Sequence, residues 1–159
     1  MTVVDTSAII ALLYPDDEHN ERAAKLLRTA AERGALRTNS VVYAELAAHP
    51  FFSASEDLDA FLTDVGIAVE PLPDSAPFVA GSAFRSYLDR RGEALQCSEC
   101  GRETRFECPS CGASIAARQH IPADFLIGAH AERLASPLLT FDRGFYGEYF
   151  DLEILSIGE

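Results

Sequence analysis

The first thirteen residues constrain the fold of this chain more than any other stretch. Asp5 directly follows two valines, and β-branched residues of this kind are typical of a short buried strand. Thr6 and Ser7 are then placed to cap a helix over residues 8–13, which are alanine, isoleucine and leucine. In open α/β sheets, ligands bind outside the carboxyl ends of the strands. Asp5 is therefore a candidate site residue, with a plain helix cap as the alternative.

The rest of the chain alternates between strand and helix patterns. Further strands are predicted at 35–38, 67–72, 137–141 and 152–157. Helices are predicted at 16–33, 40–47, 55–64, 74–91 and 122–135. The expected N-caps are Asp16 or Asp17, Ser40 and Ser55. This alternation predicts an α/β fold with a central parallel sheet covered by helices on both faces.

Composition restricts the class of protein. A chain of 159 residues corresponds to one domain with room for a small insertion. With 48% hydrophobic and 24% charged residues, it has the material for a buried core. No apolar run approaches the ~20 residues of a membrane span, and the N-terminus lacks the basic flank of a signal peptide. We therefore expect a cytoplasmic protein without a membrane partner.

The charge distribution is uneven. The formal net charge is −12, from 25 acidic and 13 basic residues, which argues against loose, charge-driven binding to nucleic acid. Residues 85–120 differ from the rest, because they contain six arginines and five acids. If the chain binds a polyanion, this segment is the expected contact.

Four acids stand at element ends or beside apolar residues. They are Asp5, Glu45, Asp124 and Asp142. Taken singly, each has a plainer explanation: a helix cap for the first and last, a helix-dipole partner for Asp124, and a solvated helix residue for Glu45. Carboxylates that meet at one place repel each other unless a cation lies among them. Mg²⁺ or Mn²⁺ suits such an all-oxygen cluster, which is typical equipment for phosphodiester hydrolysis.

Four segments in chain order resemble the motifs of PIN-domain nucleases. They are Val-Val-Asp5-Thr6-Ser7, Val-Val-Tyr-Ala-Glu45, Ile-Pro-Ala-Asp124-Phe-Leu and Leu-Leu-Thr140-Phe-Asp142. The closest resemblance is to toxin ribonucleases of the VapC type, and it covers residues 1–95 and 116–159. It implies a PIN-like three-layer α/β fold and Mg²⁺- or Mn²⁺-dependent endoribonuclease activity on RNA. It also implies a homodimer and a small antitoxin protein as partner.

The resemblance also assigns roles to individual residues. It places the metal ligands at Asp5, Glu45, Asp124 and Asp142, with Thr140 as a supporting hydroxyl. A catalytically idle PIN fold that binds RNA or acts as a scaffold is the alternative, although all four acids are present. A phosphatase of the haloacid dehalogenase type is a further alternative, but that family needs a second aspartate where this chain has Ser7.

All four cysteines lie close together, so they do not form a framework of disulfides spread along the chain. They form two Cys-x-x-Cys-Gly motifs, at Cys97 and Cys100 and at Cys108 and Cys111. Two such turns facing each other make a tetrahedral thiolate site for Zn²⁺. The spacer 101–107 is short but long enough for a tight hairpin. The sequence thus predicts a structural zinc ribbon inserted at 96–115, with free thiols, a redox pair or iron as alternatives.

Several residues near the cysteines are candidates for contact with RNA. Arg102, Arg105 and Arg118 are placed to contact phosphate and offset the acidic body of the protein. Phe106 is expected to pack the ribbon, with base stacking as the alternative. A dimer or antitoxin contact is another use for the same segment. The two histidines at 120 and 130 are expected to be structural.

Overall fold

The computed structural model describes residues 1–91, 94–96, 102–115, 121–142 and 144–156. The helices in this part of the chain are α1 (Thr6–Leu13), α2 (Asn20–Arg33), α3 (Ser40–Ala47), α4 (Ser55–Val65), α5 (Ala76–Arg91), α6 (Ala123–Arg133) and α7 (Phe145–Tyr149). The strands are β1 (Thr2–Val4), β2 (Leu36–Asn39), β3 (Ile67–Glu70), β4 (Leu95–Gln96), β5 (Glu103–Thr104), β6 (Phe106–Glu107), β7 (Ser114–Ile115), β8 (Leu138–Leu139) and β9 (Ile154–Leu155). None of the described helices combines the length and apolarity needed to cross a membrane.

Five strands form a parallel sheet in the order β3-β2-β1-β8-β9. The central strand β1 pairs with β2 on one side and β8 on the other, so that Val3 lies beside both Arg37 and Leu138. The chain therefore winds outward from β1 in two directions. Between β1 and β8 the winding reverses, and the carboxyl ends of strands at such a point border a crevice. The predicted α/β fold with a central parallel sheet and flanking helices is confirmed.

The core is built from the sheet and the apolar faces of the helices. The side chains of Val3, Val4 and Ile9 are fully buried. The ring of Phe125 on α6 lies 4.9 Å from that of Phe145, in edge-to-face geometry. This packing fixes α6 and α7 at the carboxyl edge of the sheet, next to the crevice.

One glycine permits the close packing of α6. A Cβ atom at Gly128 would lie 2.4 Å from Cε2 of Phe150, which is closer than any tolerated contact. The ring of Phe150 is almost fully buried and closes over the helix. Gly128 therefore sets the distance between α6 and the segment that follows α7.

Two predicted helix caps are displaced by one residue. The N-cap of α3 is Asn39, whose Oδ1 accepts hydrogen bonds from the backbone N–H groups of Val41 and Val42, at 2.9 and 3.2 Å. Ser40 is already helical, because β2 continues one residue further than the pattern predicts. Likewise, Ser55 is the first residue of α4 and the cap position belongs to an alanine.

The caps expected for α1 and α2 also differ in the structure. Asp5 occupies the N-cap position of α1 with extended backbone, so Thr6 and Ser7 lie in the first turn and are not caps. The helix predicted from position 16 begins at Asn20. Asp17 accepts a 2.7 Å hydrogen bond from the backbone N–H two residues further on, which shapes the turn before the helix.

The cysteine-bearing segment contains two small antiparallel hairpins, separate from the main sheet. β4 pairs with β5, and β6 pairs with β7. The spacer 101–107 therefore contributes a strand to each of two hairpins and does not close one hairpin of its own. The boundaries of a separate insertion at 96–115 remain a prediction.

Candidate active site

Asp5 lies at the carboxyl end of β1 and is 5% exposed. Its side chain makes no capping hydrogen bond to α1, although it occupies the N-cap position. Instead the carboxylate accepts three hydrogen bonds from side-chain hydroxyls. Ser7 and Thr140 donate to Oδ2 at 2.7 Å each, and Tyr146 donates to Oδ1 at 3.2 Å. Asp5 therefore does not serve as a simple N-cap of α1.

Backbone groups determine the direction of two of these hydroxyls. The Oγ atom of Ser7 accepts from the N–H of Phe141 at 3.0 Å, and Oγ1 of Thr140 accepts from the N–H of Asp142 at 3.1 Å. A hydroxyl has a single proton, so each of the two directs it to Asp5. Thr140 is fully buried beside Asp5, where the sequence predicts a supporting hydroxyl. Its catalytic role remains a prediction.

Glu45 lies on α3 and is partly buried. Its Oε2 accepts a hydrogen bond from the hydroxyl of Thr6, the residue that follows Asp5. The alternative of a solvated helix residue does not fit this contact. The first turn of α1 thus connects the carboxylates at the ends of β1 and α3.

Asp124 lies in the first turn of α6 and is partly buried. Its pKa is raised to about 6, first by burial and then by the charges of Asp5, Glu45 and Asp142. A carboxylate controlled by the helix dipole would have a lowered pKa at this end of a helix. Burial and the neighbouring negative charges therefore outweigh the dipole.

Asp142 follows β8 and has an exposed side chain. Its pKa is raised by burial of part of the carboxyl and then by the charge of Asp5. It does not cap α7, since Gly144 holds that position. All four predicted acids thus lie at the carboxyl edge of the sheet within electrostatic reach of Asp124.

The donor atoms of this cluster suit a hard divalent cation. Within the described ranges, no three histidine, cysteine, aspartate or glutamate side chains converge closely enough to hold an ion together. The other three carboxylates nevertheless contribute to the raised pKa of Asp124, so a cation among the four would remove an existing repulsion. Oxygen ligands without nitrogen or sulfur favour Mg²⁺ or Mn²⁺.

Of the hydroxyls that contact the acids, the sequence predicts Thr140 but not Thr6, Ser7 or Tyr146. The pattern indicates caps at Thr6 and Ser7, although their positions beside Asp5 also suggest contact with the carboxylates. Tyr146 carried no such signal, because its contact depends on how α7 packs. Its side chain is fully buried, and burial followed by the charge of Asp5 raises its pKa, so the phenol is neutral.

His130 has the structural role predicted for it. It is fully buried on α6, and its Nδ1 lies 3.0 Å from Nδ2 of Asn39. The Oδ1 atom of Asn39 is already used in capping α3, so the amide donates and the imidazole accepts. Burial lowers the pKa of His130, consistent with a neutral ring. This bond ties the start of α3 to α6, the helices that carry Glu45 and Asp124.

Some of the predicted cysteine and arginine residues fall in the described segments. Cys108 and Cys111 are unbonded cysteines in the loop between β6 and β7, whereas Cys97, Cys100, Arg118 and His120 lie outside the described residues. The backbone N–H of Ser110, followed by that of Cys111, hydrogen-bonds the sulfur of Cys108 and lowers its pKa. Arg102 and Arg105 are exposed on the hairpins. Their positive charge is opposite to that of the acid cluster.

The fold and the acids at its switch point define an α/β protein with a carboxylate site at the strand ends. A family model for the PIN domain matches residues 2–93, more than half of the chain. The chain belongs to the PIN-domain family. A search of curated proteins gives no match.

Solved structures with the same fold cover almost the whole chain. VapBC2 from Rickettsia felis, bound to a DNA fragment from its promoter, has a TM-score of 0.63 at 17% identity, covering 99% of this chain and 98% of that chain. VapC20 from Mycobacterium tuberculosis, a sarcin-ricin loop cleaving toxin, has a TM-score of 0.56 at 18% identity, covering 95% and 97%. FitAcB from Neisseria gonorrhoeae has a TM-score of 0.56 at 20% identity, covering 98% and 96%. At these identities the similarity establishes the fold alone.

Proposed function

We propose that this chain is an endoribonuclease that hydrolyses RNA phosphodiester bonds with bound Mg²⁺ or Mn²⁺. The observation that carries the proposal is the meeting of acids from separate elements, where Thr6 bonds Glu45, Thr140 bonds Asp5, and the other three acids add to the raised pKa of Asp124. Four carboxylates from separate elements share surroundings that a divalent cation would neutralise. Membership of the PIN family and the similarity to VapC toxins support a nuclease.

The proposed metal ligands are Asp5, Glu45, Asp124 and Asp142. A bound divalent metal lowers the pKa of a coordinated water and neutralises charge that develops on the phosphate. The hydroxyls of Ser7, Thr140 and Tyr146 hold the Asp5 carboxylate in one orientation. Because Thr140 is fully buried, it acts through Asp5 and does not touch the substrate.

An RNA cleavage assay tests this function. The purified protein is incubated with a short unstructured RNA in EDTA, and then with added Mg²⁺ or Mn²⁺. We expect internal cleavage only when a divalent metal is present. If the RNA is bound but stays intact under every metal condition, the catalytically idle PIN module becomes the correct description.

The proposed partners follow from the same similarity. VapBC2 and FitAcB are the neighbours that suggest a small antitoxin protein, and a homodimer is proposed with it. RNA is the proposed substrate, contacted at its phosphates by Arg102, Arg105 and Arg118. Two of these arginines are exposed on the hairpins, which supports that assignment. Replacing both by glutamine and measuring RNA affinity tests it, with weaker binding and unchanged metal dependence expected.

Structural Zn²⁺ is proposed at Cys97, Cys100, Cys108 and Cys111. In sequence, Cys97 directly follows β4 and Cys108 directly follows β6, and the registers Gln96↔Glu103 and Glu107↔Ser114 leave equal numbers of residues between the paired strands. In the described loop, backbone N–H groups point at the sulfur of Cys108, and Gly112 has the positive φ of +69° that this turn requires. These donors support a thiolate at Cys108, the form in which cysteine binds a metal.

The hairpins also need a cross-link. Each strand has two residues, and the facing pair Phe106 and Ile115 is 51% and 43% exposed. Two-stranded hairpins of this size bury too little apolar surface to be stable alone. A zinc ion held by four thiolates supplies folding energy and leaves no open coordination position, so its role is structural.

A further inference from the structure

The buried Tyr146 makes a contact that core packing alone does not require. Its side chain is fully buried on α7, yet its hydroxyl points to the acid cluster and donates to Oδ1 of Asp5 at 3.2 Å. A phenylalanine would fill nearly the same space. The hydroxyl is therefore the part of this residue that calls for an explanation.

The two oxygens of Asp5 have different surroundings. Oδ2 accepts two hydrogen bonds of 2.7 Å, from Ser7 and Thr140, whose protons are directed there by backbone donors. A carboxylate oxygen has two lone pairs, so Oδ2 has no further ligand capacity. Oδ1 accepts only the longer bond from Tyr146 among the described residues, and one lone pair remains.

The hydroxyl of Tyr146 also faces the other acids. The charges of Asp5, Asp124 and Asp142 all act on this hydroxyl, so the three carboxylates lie near it. The phenol O–H is the donor in the bond to Asp5. Among the described residues, Oδ1 is therefore the oxygen of Asp5 that keeps a lone pair for a cation.

We propose that Tyr146 is a positioning residue that presents Oδ1 of Asp5 as the single ligand atom for the divalent cation. Ser7 and Thr140 occupy one oxygen, and Tyr146 fixes the lone pair that is left on the other. The inference rests on the proposed function in one respect, that Asp5 is a metal ligand. Groups that orient a metal ligand typically change metal affinity or activity about 10–100-fold when removed.

The test compares Tyr146→Phe with Tyr149→Phe in the metal-free protein. Tyr149 lies on the same helix and its hydroxyl has no hydrogen bond to the site acids, so it is the matched control. Mn²⁺ is titrated by calorimetry, and RNA cleavage is measured at saturating Mn²⁺. For Tyr146→Phe we expect Mn²⁺ affinity about 10-fold weaker and kcat lowered, with KM for RNA unchanged. Tyr149→Phe should match the wild type.

Each outcome decides the role of Tyr146. Equal Mn²⁺ affinity and kcat in the two variants would mean that Tyr146 only packs the core, and wild-type protein that binds no Mn²⁺ would equally overturn the inference. If the wild type binds Mn²⁺ but cleaves no RNA, the proposed function fails, while the calorimetric comparison still tests the positioning role.

A second measurement applies if Tyr146→Phe does not fold. The ultraviolet absorbance of a tyrosine changes when its hydrogen-bond acceptor takes up a cation, so the wild type should give a tyrosine difference spectrum on adding Mn²⁺. Asp5→Asn should give none, because the shared carboxylate is gone. An unchanged wild-type spectrum at saturating Mn²⁺ would contradict the proposal.

Discussion

Thr140 donates a 2.7 Å hydrogen bond to Oδ2 of Asp5, although 135 positions separate the two residues in the chain. The bond joins the carboxyl ends of β8 and β1, which are neighbours in the sheet. The same hydroxyl accepts from the backbone N–H of Asp142, so one buried side chain connects two of the site acids.

Thr140→Val should therefore destabilise the protein. The methyl group has the size of the hydroxyl but leaves a buried carboxylate and a backbone N–H without their partner, at a cost of about 2–4 kcal/mol. Urea unfolding measures the loss. Thr140→Ser keeps the hydroxyl and should recover most of it; a Thr140→Val variant as stable as the wild type would show that the hydroxyl contributes nothing to the free energy of unfolding.

Asp5→Asn and Asp124→Asn should abolish RNA cleavage while the fold stays intact. Each change removes a charged ligand and nearly keeps its shape. At position 5, the amide oxygen can still accept from Ser7 and Thr140 while the amide nitrogen donates to Tyr146. Cleavage assays with Mg²⁺ or Mn²⁺, alongside circular dichroism, check this. Full activity of either variant would remove that acid from the site.

Asp124 should make the metal-free protein more stable at mildly acidic pH. Its pKa is about 6 in the folded state against an ordinary value of 3.8, so the folded state binds more protons between these values. The contribution of Asp124 to the free energy of unfolding therefore increases as the pH falls through about 6 toward 4. The shift corresponds to about 3 kcal/mol, reduced to about 1–2 kcal/mol by solvent screening at this partly exposed carboxyl.

Asp124→Asn isolates that contribution. The variant should be more stable than the metal-free wild type near neutral pH, and the difference should close near pH 4. The comparison cancels the opposite contribution of His130, whose pKa is lowered by burial. Urea unfolding in EDTA at several pH values gives the difference directly. A constant difference across that range would show that Asp124 is not under electrostatic strain.

A chelator should remove the metal at the acidic site and leave the zinc at the cysteines. Hard oxygen ligands leave Mg²⁺ labile, whereas four thiolates hold Zn²⁺ tightly. Mild EDTA should stop cleavage at once, Mg²⁺ or Mn²⁺ alone should restore it, and elemental analysis should still find one zinc per chain. Less than about a tenth of an equivalent of zinc, with all thiols titrating freely, would exclude the thiolate site.

Removing half of the thiolate site should have a different effect. With Cys97 and Cys100 both replaced by serine, the hairpins should lose their order while the sheet stays folded. Cleavage of a short unstructured RNA should persist, with binding weakened. A variant that folds and binds RNA normally but has lost all turnover would place the hairpins in the catalytic machinery.

Two glycines give a paired test of the helix packing. Gly128→Ala forces a Cβ into the ring of Phe150 and should cost about 1–3 kcal/mol. Gly81→Ala on α5 meets open space and should stabilise by about 0.5–1 kcal/mol. Thermal unfolding measures both changes. Equal effects in the two variants would show that α6 has room to move away from Phe150.

The acids were predictable because their signals are local. Asp5 and Asp142 each follow a short apolar strand, and the topology of parallel sheets then brings strand ends together. The position of a strand's last residue was not predictable, so the cap of α3 was assigned to Ser40 although Asn39 makes it. The contact of Tyr146 with Asp5 was not predictable from the sequence, because it depends on packing between elements that are distant in sequence.

The hairpins were only partly predictable for another reason. Strands of two residues are too short to show an alternating pattern, so the segment showed only its cysteines and glycines. The position of each pair of cysteines after the first strand of a hairpin required the register. Zinc at this segment remains a proposal that rests on the four cysteines.

The central position of β1 has a consequence for the order of events during synthesis. Asp5 is synthesised well before its partners Thr140 and Tyr146, which lie 135 and 141 positions further along the chain. Its strand neighbour β8 is also made late, so a nascent chain exposes one edge of β1 and cannot complete the acid cluster. The cluster of acids and hydroxyls around Asp5 can therefore form only after the segment from Thr140 to Tyr146 has been made.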